Sequence, residues 1–151
     1  MRIRTISVDE PSVLALLRLH LEGMHASSPP GTVYALDTSG LRDPVISFWG
    51  VFEDETLLGF GALKQLDATR GEIKSMRTHP DHLRKGVAAV LLEHILATAR
   101  DRGYRRVSLE TGSGEAFEPA LALYRRAGFT NGVAFGDYEA SEFNQFLHLS
   151  L

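Results

Sequence analysis

Apolar and polar positions along the 151-residue chain follow two periods, and their order predicts the elements of the fold. Alternating positions with β-branched residues predict strands over Arg2–Ser7, Val45–Phe52, Thr56–Leu66, Gly71–Thr78, Arg105–Glu110, Phe129–Phe135 and Glu142–Leu149. Apolar residues at helical spacing predict helices from Pro11 to near Gly23, from a first turn at Arg84–Ala88 to near Gly103, and from Glu118 to near Gly128. This order predicts a single mixed α/β domain over residues 1–151.

Two local patterns add detail near the N-terminus. Asp9 precedes the first helix and is expected to cap it, with Pro11 tolerated in the first turn. Residues 25–44 carry Ser, Pro, Gly and Asp at the density of turns, which predicts an irregular segment with a short helix around Val33–Leu36. Such a segment is either a lid over a substrate site or a variable surface connection, and the pattern does not decide between them.

Composition and charge exclude several classes of function. The net charge of −3 argues against a general nucleic-acid-binding protein, because phosphate contacts need a basic face. The chain has no cysteine, which excludes disulfides, thiolate catalysis and cysteine-ligated zinc. It has no apolar run long enough for a membrane span, and the first ten residues lack the apolar core of a signal peptide. We therefore expect a soluble, cytoplasmic protein.

The sharpest chemical feature is Arg84-Lys85-Gly86-Val87-Ala88, at the predicted start of the second helix. Backbone N–H groups at a helix N-terminus lack partners and carry partial positive charge, so two cations and a glycine there favour a phosphate or pyrophosphate. The alternative is a solvated basic turn with no ligand. The pattern matches neither the Walker loop nor the three-glycine dinucleotide fingerprint.

Two blocks resemble the GCN5-related N-acetyltransferase (GNAT) superfamily. Met76–Leu92 (MRTHPDHLRKGVAAVLL) is similar to the family's acetyl-CoA motif, and Ala120–Phe129 (ALALYRRAGF) is similar to its "A…LY…GF" block. The resemblance implies a GNAT-like fold with a central, mostly antiparallel twisted sheet flanked by helices. The chain departs from the family pattern at Leu83, where the family has arginine or glutamine, and at Phe117, where it often has asparagine.

The resemblance also implies which residues hold acetyl-CoA, the acetyl donor. Main-chain N–H groups over the loop and helix start would bind the pyrophosphate, and those near the end of the preceding strand would stabilise the thioester oxygen. These residues are Leu83, Arg84, Lys85, Gly86, Val87 and Ala88 in the first group, and Met76, Arg77 and Thr78 in the second. No metal is expected, because His79 and His82 have neither cysteines nor a carboxylate pattern beside them.

Acetylation of an alkyl amine needs a base, because such an amine is protonated at neutral pH. Glu72 is the first candidate and Glu110 the second, with His79 third. Glu72 is equally well explained as a solvated carboxylate at a strand end, with Lys74 or Arg70 as a pairing partner. Strand alternation would put Glu72, Lys74, Met76 and Thr78 on one face. In the family, the tyrosine of the "LY" pair protonates the CoA thiolate, which implies Tyr124 as the acid; the alternative is a packing role.

The predicted activity is direct transfer of acetyl from acetyl-CoA to a small amine or amino acid derivative in a ternary complex. A non-catalytic acyl-CoA sensor and a peptide or protein N-acetyltransferase are the alternatives. The acceptor pocket is expected from His25–Pro44, Phe48-Trp49 and Phe135–Ser141. Three acidic residues suggest a cationic acceptor: Asp37, Glu115 and Asp137. The apolar strands within Phe129–Leu151 suggest that a homodimer could pair through them.

Overall fold

The computed structural model describes all of residues 1–151 and contains one seven-stranded sheet with helices packed against it. The strands are β1 (Arg2–Thr5), β2 (Ile46–Glu53), β3 (Thr56–Gln65), β4 (Arg70–Thr78), β5 (Arg106–Thr111), β6 (Thr130–Asn131) and β7 (Gln145–Ser150). The helices are α1 (Pro11–Ser27), α2 (Thr38–Leu41), α3 (Val87–Asp101) and α4 (Glu118–Arg126), with 3₁₀ turns at Pro80–His82 and Glu115–Phe117. The mixed α/β class is confirmed.

The sheet has the order β1-β2-β3-β4-β5-β7-β6. Every neighbouring pair is antiparallel except β4 with β5, which are parallel and connected through α3. Strand β7 lies inside the sheet, paired with β5 along its whole length and with β6 at Leu147 and His148. The homodimer suggested for the apolar strands within Phe129–Leu151 stays a prediction, since the edge strand β6 belongs to that range. The outer strand on that side, β6, covers two residues where Phe129–Phe135 was predicted.

The start of α1 differs from the prediction at its cap. Asp9 does not cap the helix but pairs with Arg42, and no side chain caps the first turn. The preceding residue, Glu10, accepts hydrogen bonds from the Ser7 N–H at 2.7 Å and from Arg4 at 2.6 Å. The longer glutamate therefore fixes the turn before the helix, and the aspartate is free to bridge to a distant arginine.

The segment after α1 also differs. Helix α1 continues beyond Gly23 to Ser27, and the short helix lies at Thr38–Leu41 instead of Val33–Leu36. Asp37 starts that helix because its Oδ1 accepts a hydrogen bond from the Gly40 N–H at 2.9 Å. The capping residue was thus visible in the sequence, and the prediction placed the helix before it instead of after it.

Two apolar cores divide the interior. In one, α1 packs through Val13, Leu16 and Leu17 on residues of β2 and β3 that include Phe60. In the other, α3 and α4 pack with residues from β2 to β5 and from β7. No helix of the protein has both the length and the apolarity that crossing a membrane would require.

Truncation of a leucine on the inner face of α3 should measure the strength of the larger core. Leu91 is 1% exposed, and we expect Leu91→Ala to lower the free energy of unfolding by about 2–5 kcal/mol through lost burial and a residual cavity. The matched change Leu19→Ala, at a leucine that is 44% exposed, should cost less than about 1 kcal/mol. Urea denaturation of both variants tests this, and equal losses would contradict the assignment of the core.

Candidate active site

The sheet opens in its middle, where β4 and β5 separate. These strands pair only over Arg70–Glu72 and Arg106–Ser108. Beyond that point β4 stays paired with β3 as far as Thr78, and β5 stays paired with β7 as far as Thr111. From Ile73 onward, the edge of β4 that faces β5 therefore has no strand partner, and its backbone polar groups remain available to a ligand.

A bulge at Ser75 accompanies the opening. Ser75 has a φ of 57°, and the pairing register of β3 with β4 shifts between Phe60 and Ala62. Inserting a residue reverses the facing of every later side chain. Met76 therefore contacts the space beside Gly61 on the α3 side, while Arg77 pairs with Phe60 and points toward α1. The prediction that Met76 and Thr78 share a face with Glu72 and Lys74 is wrong.

A cavity of about 110 Å³ lies where the two strands separate. Its wall combines residues from both strands, from α1 and α4, and from the 3₁₀ turn before α4. Two loops also contribute, one between α1 and α2 and one between β6 and β7. The residues of the wall are His20, Met24, Tyr34, Ala35, Glu72, Ile73, Lys74, Ser75, Met76, Leu109, Glu110, Thr111, Phe117, Ala120, Tyr124 and Tyr138. Three titratable residues singled out in the sequence, at positions 72, 110 and 124, thus meet at one site.

Glu72 is buried and paired with Lys74, so the alternative is wrong about its solvation and correct about one of its two pairing partners. Its side chain is 3% exposed and that of Lys74 is 9% exposed, with Lys74 Nζ at 3.4 Å from Glu72 Oε2. The hydroxyl of Tyr138 donates a hydrogen bond to the same carboxylate oxygen and accepts one from Lys74 Nζ at 2.6 Å. Burial and the neighbouring Glu72 charge raise the pKa of Tyr138, so this hydroxyl stays protonated.

Glu110 faces the same cavity without a hydrogen-bond partner from another side chain. Burial, partly opposed by the Lys74 charge and reinforced by that of Glu72, raises the pKa of Glu110 to about 7. A carboxyl group with such a pKa changes its protonation near neutrality, as a general base requires. The lysine therefore neutralises one carboxylate of the cavity and leaves the other free to exchange a proton.

Tyr124 reaches the cavity from α4. Its side chain is 6% exposed and packs edge-on against Phe129, with ring centroids 5.7 Å apart. Burial raises the pKa of Tyr124, so the hydroxyl is protonated at any physiological pH. Phe117, at the position of the family asparagine, packs edge-on against Phe143 in the same wall. Its ring lies where an added Cβ on Gly112 would be 2.8 Å away, which explains a glycine there.

The expected acceptor pocket is partly correct. Tyr34 and Ala35, from the irregular segment, and Tyr138, from the later loop, line the cavity. Phe48 and Trp49 do not, because both are buried in the two cores. The three acidic residues expected near a cationic acceptor are also absent from the cavity wall, among them Asp37, which starts α2.

His20 was missed in the sequence, and Tyr138 was predicted only as part of the loop Phe135–Ser141. His20 looked like part of the apolar face of α1, and its ring accepts a hydrogen bond at Nδ1 from Arg77 Nε at 3.0 Å. Tyr138 lies in a loop with no periodicity, and its ring is 5.0 Å from that of Tyr34 in an edge-on contact. The aromatic density of residues 135–138 was the available signal, since aromatic side chains in a loop need something to pack on.

Arg84, Lys85 and Gly86, predicted as part of the first helical turn, instead form the loop before α3. This loop carries the features of an anion site. Arg84 and Gly86 both have positive φ, at 63° and 83°. No side chain caps α3, and Val90 is the first residue whose N–H bonds back, to Gly86 O, so the N–H groups of residues 87–89 have no acceptor. Arg84 and Lys85 are exposed and form no salt bridge, although Lys85 Nζ lies 3.0 Å from His82 Nδ1. Leu83 is exposed, so its side chain adds no polar contact here.

Arg77 brings only main-chain groups to this side of the site. The Arg77 guanidinium is committed to His20, and Thr78 is paired with Gly59. His79 is also used locally, because its Nδ1 accepts a hydrogen bond from the Asp81 N–H at 3.1 Å. No group of three or more histidine, cysteine, aspartate or glutamate side chains is arranged to hold a metal ion.

Comparison with known proteins decides the family. The model of the acetyltransferase (GNAT) family matches residues 13–129. The chain belongs to the GNAT acetyltransferase family. It is 46% identical to the uncharacterized N-acetyltransferase YedL of Escherichia coli over 99% of this chain and 94% of that one. It is 49% identical to the uncharacterized N-acetyltransferase YsnE of Bacillus subtilis over 91% of each chain. The enzyme class is therefore that of an N-acetyltransferase.

A solved structure agrees on the fold. The PaiA N-acetyltransferase of Thermoplasma acidophilum, in complex with coenzyme A, superposes with a TM-score of 0.75 at 16% identity over 99% of this chain and 98% of that one. The GNAT fold expected from the two sequence blocks is confirmed. This chain's own features fit a CoA pyrophosphate: unpaired N–H groups at the start of α3, two exposed cations and open space at Gly86.

Substitution of Gly86 tests the pyrophosphate site at the start of α3. A Cβ at Gly86 meets nothing within 4 Å, so it would project into the space where an anion approaches the N–H groups. We expect Gly86→Ala to weaken CoA binding at least about tenfold and to cost about 1–2 kcal/mol of stability from the positive φ. Gly103→Ala is a matched control, since Gly103 has a φ of +80° and equally open surroundings. Gly103→Ala should lose stability and keep its CoA affinity. If calorimetry gave Gly86→Ala the same CoA affinity as wild type, that result would contradict a pyrophosphate site at the start of α3.

Proposed function

We propose that the protein transfers acetyl from acetyl-CoA directly to the amine of a small molecule or amino acid derivative, in a ternary complex. The observation that carries this proposal is the meeting of Glu110 and Tyr124 in one cavity of about 110 Å³, at the opening of the sheet. Bound acetyl-CoA would supply the thioester that acylates the amine. Leu83 to Ala88 would hold its pyrophosphate, through main-chain N–H groups and the charges of Arg84 and Lys85.

Glu110 is the proposed general base. A carboxyl group with a pKa of about 7 is ionised often enough near neutrality to take a proton from an ammonium group, and its position in the cavity wall lets an amine reach it. Glu72, the first candidate from the sequence, is held by Lys74 and Tyr138. We assign it a positioning role: it anchors the lysine and the tyrosine, and its charge helps to keep the pKa of Glu110 high.

Tyr124 is the proposed general acid for the departing sulfur. Its hydroxyl is protonated throughout the physiological range, and burial makes its ionised form costly, so it takes its proton back readily. The unpartnered edge of β4 from Ile73 to Met76 offers main-chain N–H groups for the oxygen that gains charge. Donors of this kind contribute roughly 3–4 kcal/mol in acyl-transfer enzymes.

The size of the cavity supports a small acceptor. Its volume of about 110 Å³ accommodates a functional group with a few neighbouring atoms. The aromatic side chains of Tyr34 and Tyr138 line it. The direct test follows CoA release by the purified protein with acetyl-CoA and a broad panel of amines, amino acids and peptides. Turnover on small amines or amino acids supports the proposal. Turnover restricted to peptides would replace the proposed acceptor class, and no turnover with any amine would refute the function.

A further inference from the structure

We propose that His20 binds the acceptor through its imidazole Nε2–H, which donates a hydrogen bond to a carboxylate oxygen, so that the preferred acceptors are amines that carry a carboxylate. The proposal deepens the proposed function and rests on it. It concerns the part of the cavity wall formed by α1; the proposed base, Glu110, lies on β5 in the same wall.

The tautomer of His20 is fixed by its neighbour. Arg77 Nε lies 3.0 Å from His20 Nδ1, and a guanidinium can only donate, so Nδ1 must be the accepting nitrogen. The ring proton is then on Nε2. Arg77 Nη2 also donates to the main-chain oxygen of His20 at 3.1 Å, which holds the guanidinium against the same turn of α1. His20 is therefore a hydrogen-bond donor of defined orientation.

The Nε2–H group is free to meet a ligand. His20 is 5% exposed, and its ring packs edge-on against Phe60 and lines the cavity. Its Nε2 forms no hydrogen bond within the chain, yet it is not among the fully enclosed polar atoms without a partner, which belong to Ser28, Ser75 and Tyr104. A buried donor with no partner costs stability, so an occupant that accepts its hydrogen bond is favoured.

The charges around the ring favour an anionic oxygen. Lys74 is neutralised by Glu72, whereas Arg77 is half-buried and has no carboxylate partner. Its positive charge lies directly behind the imidazole and strengthens the Nε2–H as a donor. Burial, together with the Arg77 charge, lowers the pKa of His20 to about 4, so the ring stays neutral and keeps this tautomer.

The two walls together define a zwitterionic acceptor. Glu110 offers a carboxylate for the ammonium group, and His20, with Arg77 behind it, offers a donor for the carboxylate group. Both residues line the same cavity of about 110 Å³, so a single molecule bound there meets both. An amino acid or a related amino carboxylate matches both walls, and a simple alkylamine matches only one.

The test compares amino acids with the amines that lack their carboxyl groups, in wild-type protein and in His20→Phe. For the amino acids, we expect His20→Phe to lower kcat/KM at least about tenfold, mainly through KM, because a charge-assisted hydrogen bond is lost. For the decarboxylated amines the same substitution should change kcat/KM less than about threefold. His20→Gln, which retains a donor, should recover part of the loss. Arg18→Ala, on the exposed side of the same helix and outside the cavity wall, should affect neither group.

The outcomes distinguish a failure of the role of His20 from a failure of the proposed acetyl transfer. Equal losses for both groups of amines, or a wild-type preference for the decarboxylated amines, would overturn the role of His20 while acetyl transfer itself stands. Release of no CoA with any amine would refute the proposed function, and this inference with it. A measurement on the wild-type protein keeps the test valid even if the variants misfold. In wild-type protein labelled with ¹⁵N-histidine, the NMR signal of the His20 Nε2–H group should shift when an amino acid is added. A signal that does not move would also overturn the role.

Discussion

Replacing Glu110 with glutamine is expected to lower kcat/KM by about 10²–10⁴-fold, the range observed when a general base is removed. Glutamine keeps the shape of the side chain and cannot accept the proton. Because the carboxylate is the active form and its pKa is about 7, wild-type kcat/KM should rise as the pH increases through 7. That limb of the profile should disappear in the variant, leaving only the rise that comes from deprotonation of the amine itself.

Stability against pH gives an independent check on Glu110. Its folded pKa is raised, so the folded protein binds the proton more tightly than the unfolded chain between about pH 4.5 and 7. The ionised side chain therefore destabilises the fold increasingly as pH rises through that window, and Glu110→Gln should remove this loss. The control is Glu93→Gln, at an exposed position on α3. Full activity in Glu110→Gln would return the role of base to Glu72 or to water.

Replacing Tyr124 with phenylalanine is the second large change. We expect kcat to fall by about 10²-fold or more, since the departing sulfur loses its proton donor, while CoA affinity stays within about twofold of wild type. Tyr104→Phe is a closely matched control: Tyr104 is buried in the same core, and its hydroxyl has no partner. That variant should be as active as wild type and no less stable.

Single-turnover kinetics with calorimetry would separate the two effects for Tyr124. A fall in affinity without a fall in kcat would show that the side chain serves packing against Phe129 rather than proton transfer. Because burial raises the pKa of Tyr124, its ionisation should not reduce the rate at any pH up to 10. A decline of wild-type activity between pH 9 and 10 that vanishes in Tyr124→Phe would contradict its protonated state.

Most of the fold was visible in the sequence, because regular elements leave a period in the chain. The apolar stripe of α3, the glycine that ends it and the strands on either side were all predicted with nearly correct bounds. The uncapped start of α3 was predictable for the same reason: a glycine and two cations before an apolar stripe mark a helix end whose N–H groups are available.

The directions of the side chains in the site were harder to predict from the sequence. The bulge at Ser75 adds one residue to β4 with no proline or glycine at that point, so the apparent alternation from Glu72 to Thr78 hides the reversal. The depth of Glu72 was also missed. Its burial depends on Lys74 and on Tyr138, which is 66 positions away and belongs to a loop without periodicity.

His20 illustrates a different limit. On α1 it occupies a buried position among leucines, where a histidine is usually a satisfied core residue. Only the arginine from β4 fixes which nitrogen carries the proton, and Arg77 reaches α1 because the bulge turned it to that side. The donor in the cavity wall thus depends on two long-range facts that no local pattern in α1 records.

The place of β7 in the sheet has a consequence for biosynthesis. Strand β5 is joined to β4 through three residue pairs and to β7 through six, so most of its backbone partners come from residues 145–150. While the ribosome is still making those residues, β5 presents a nearly bare edge to its surroundings, and the larger core lacks Leu147. Glu110, on β5, therefore acquires its final support late, and nascent chains halted before residue 145 should be the forms that chaperones and proteases capture.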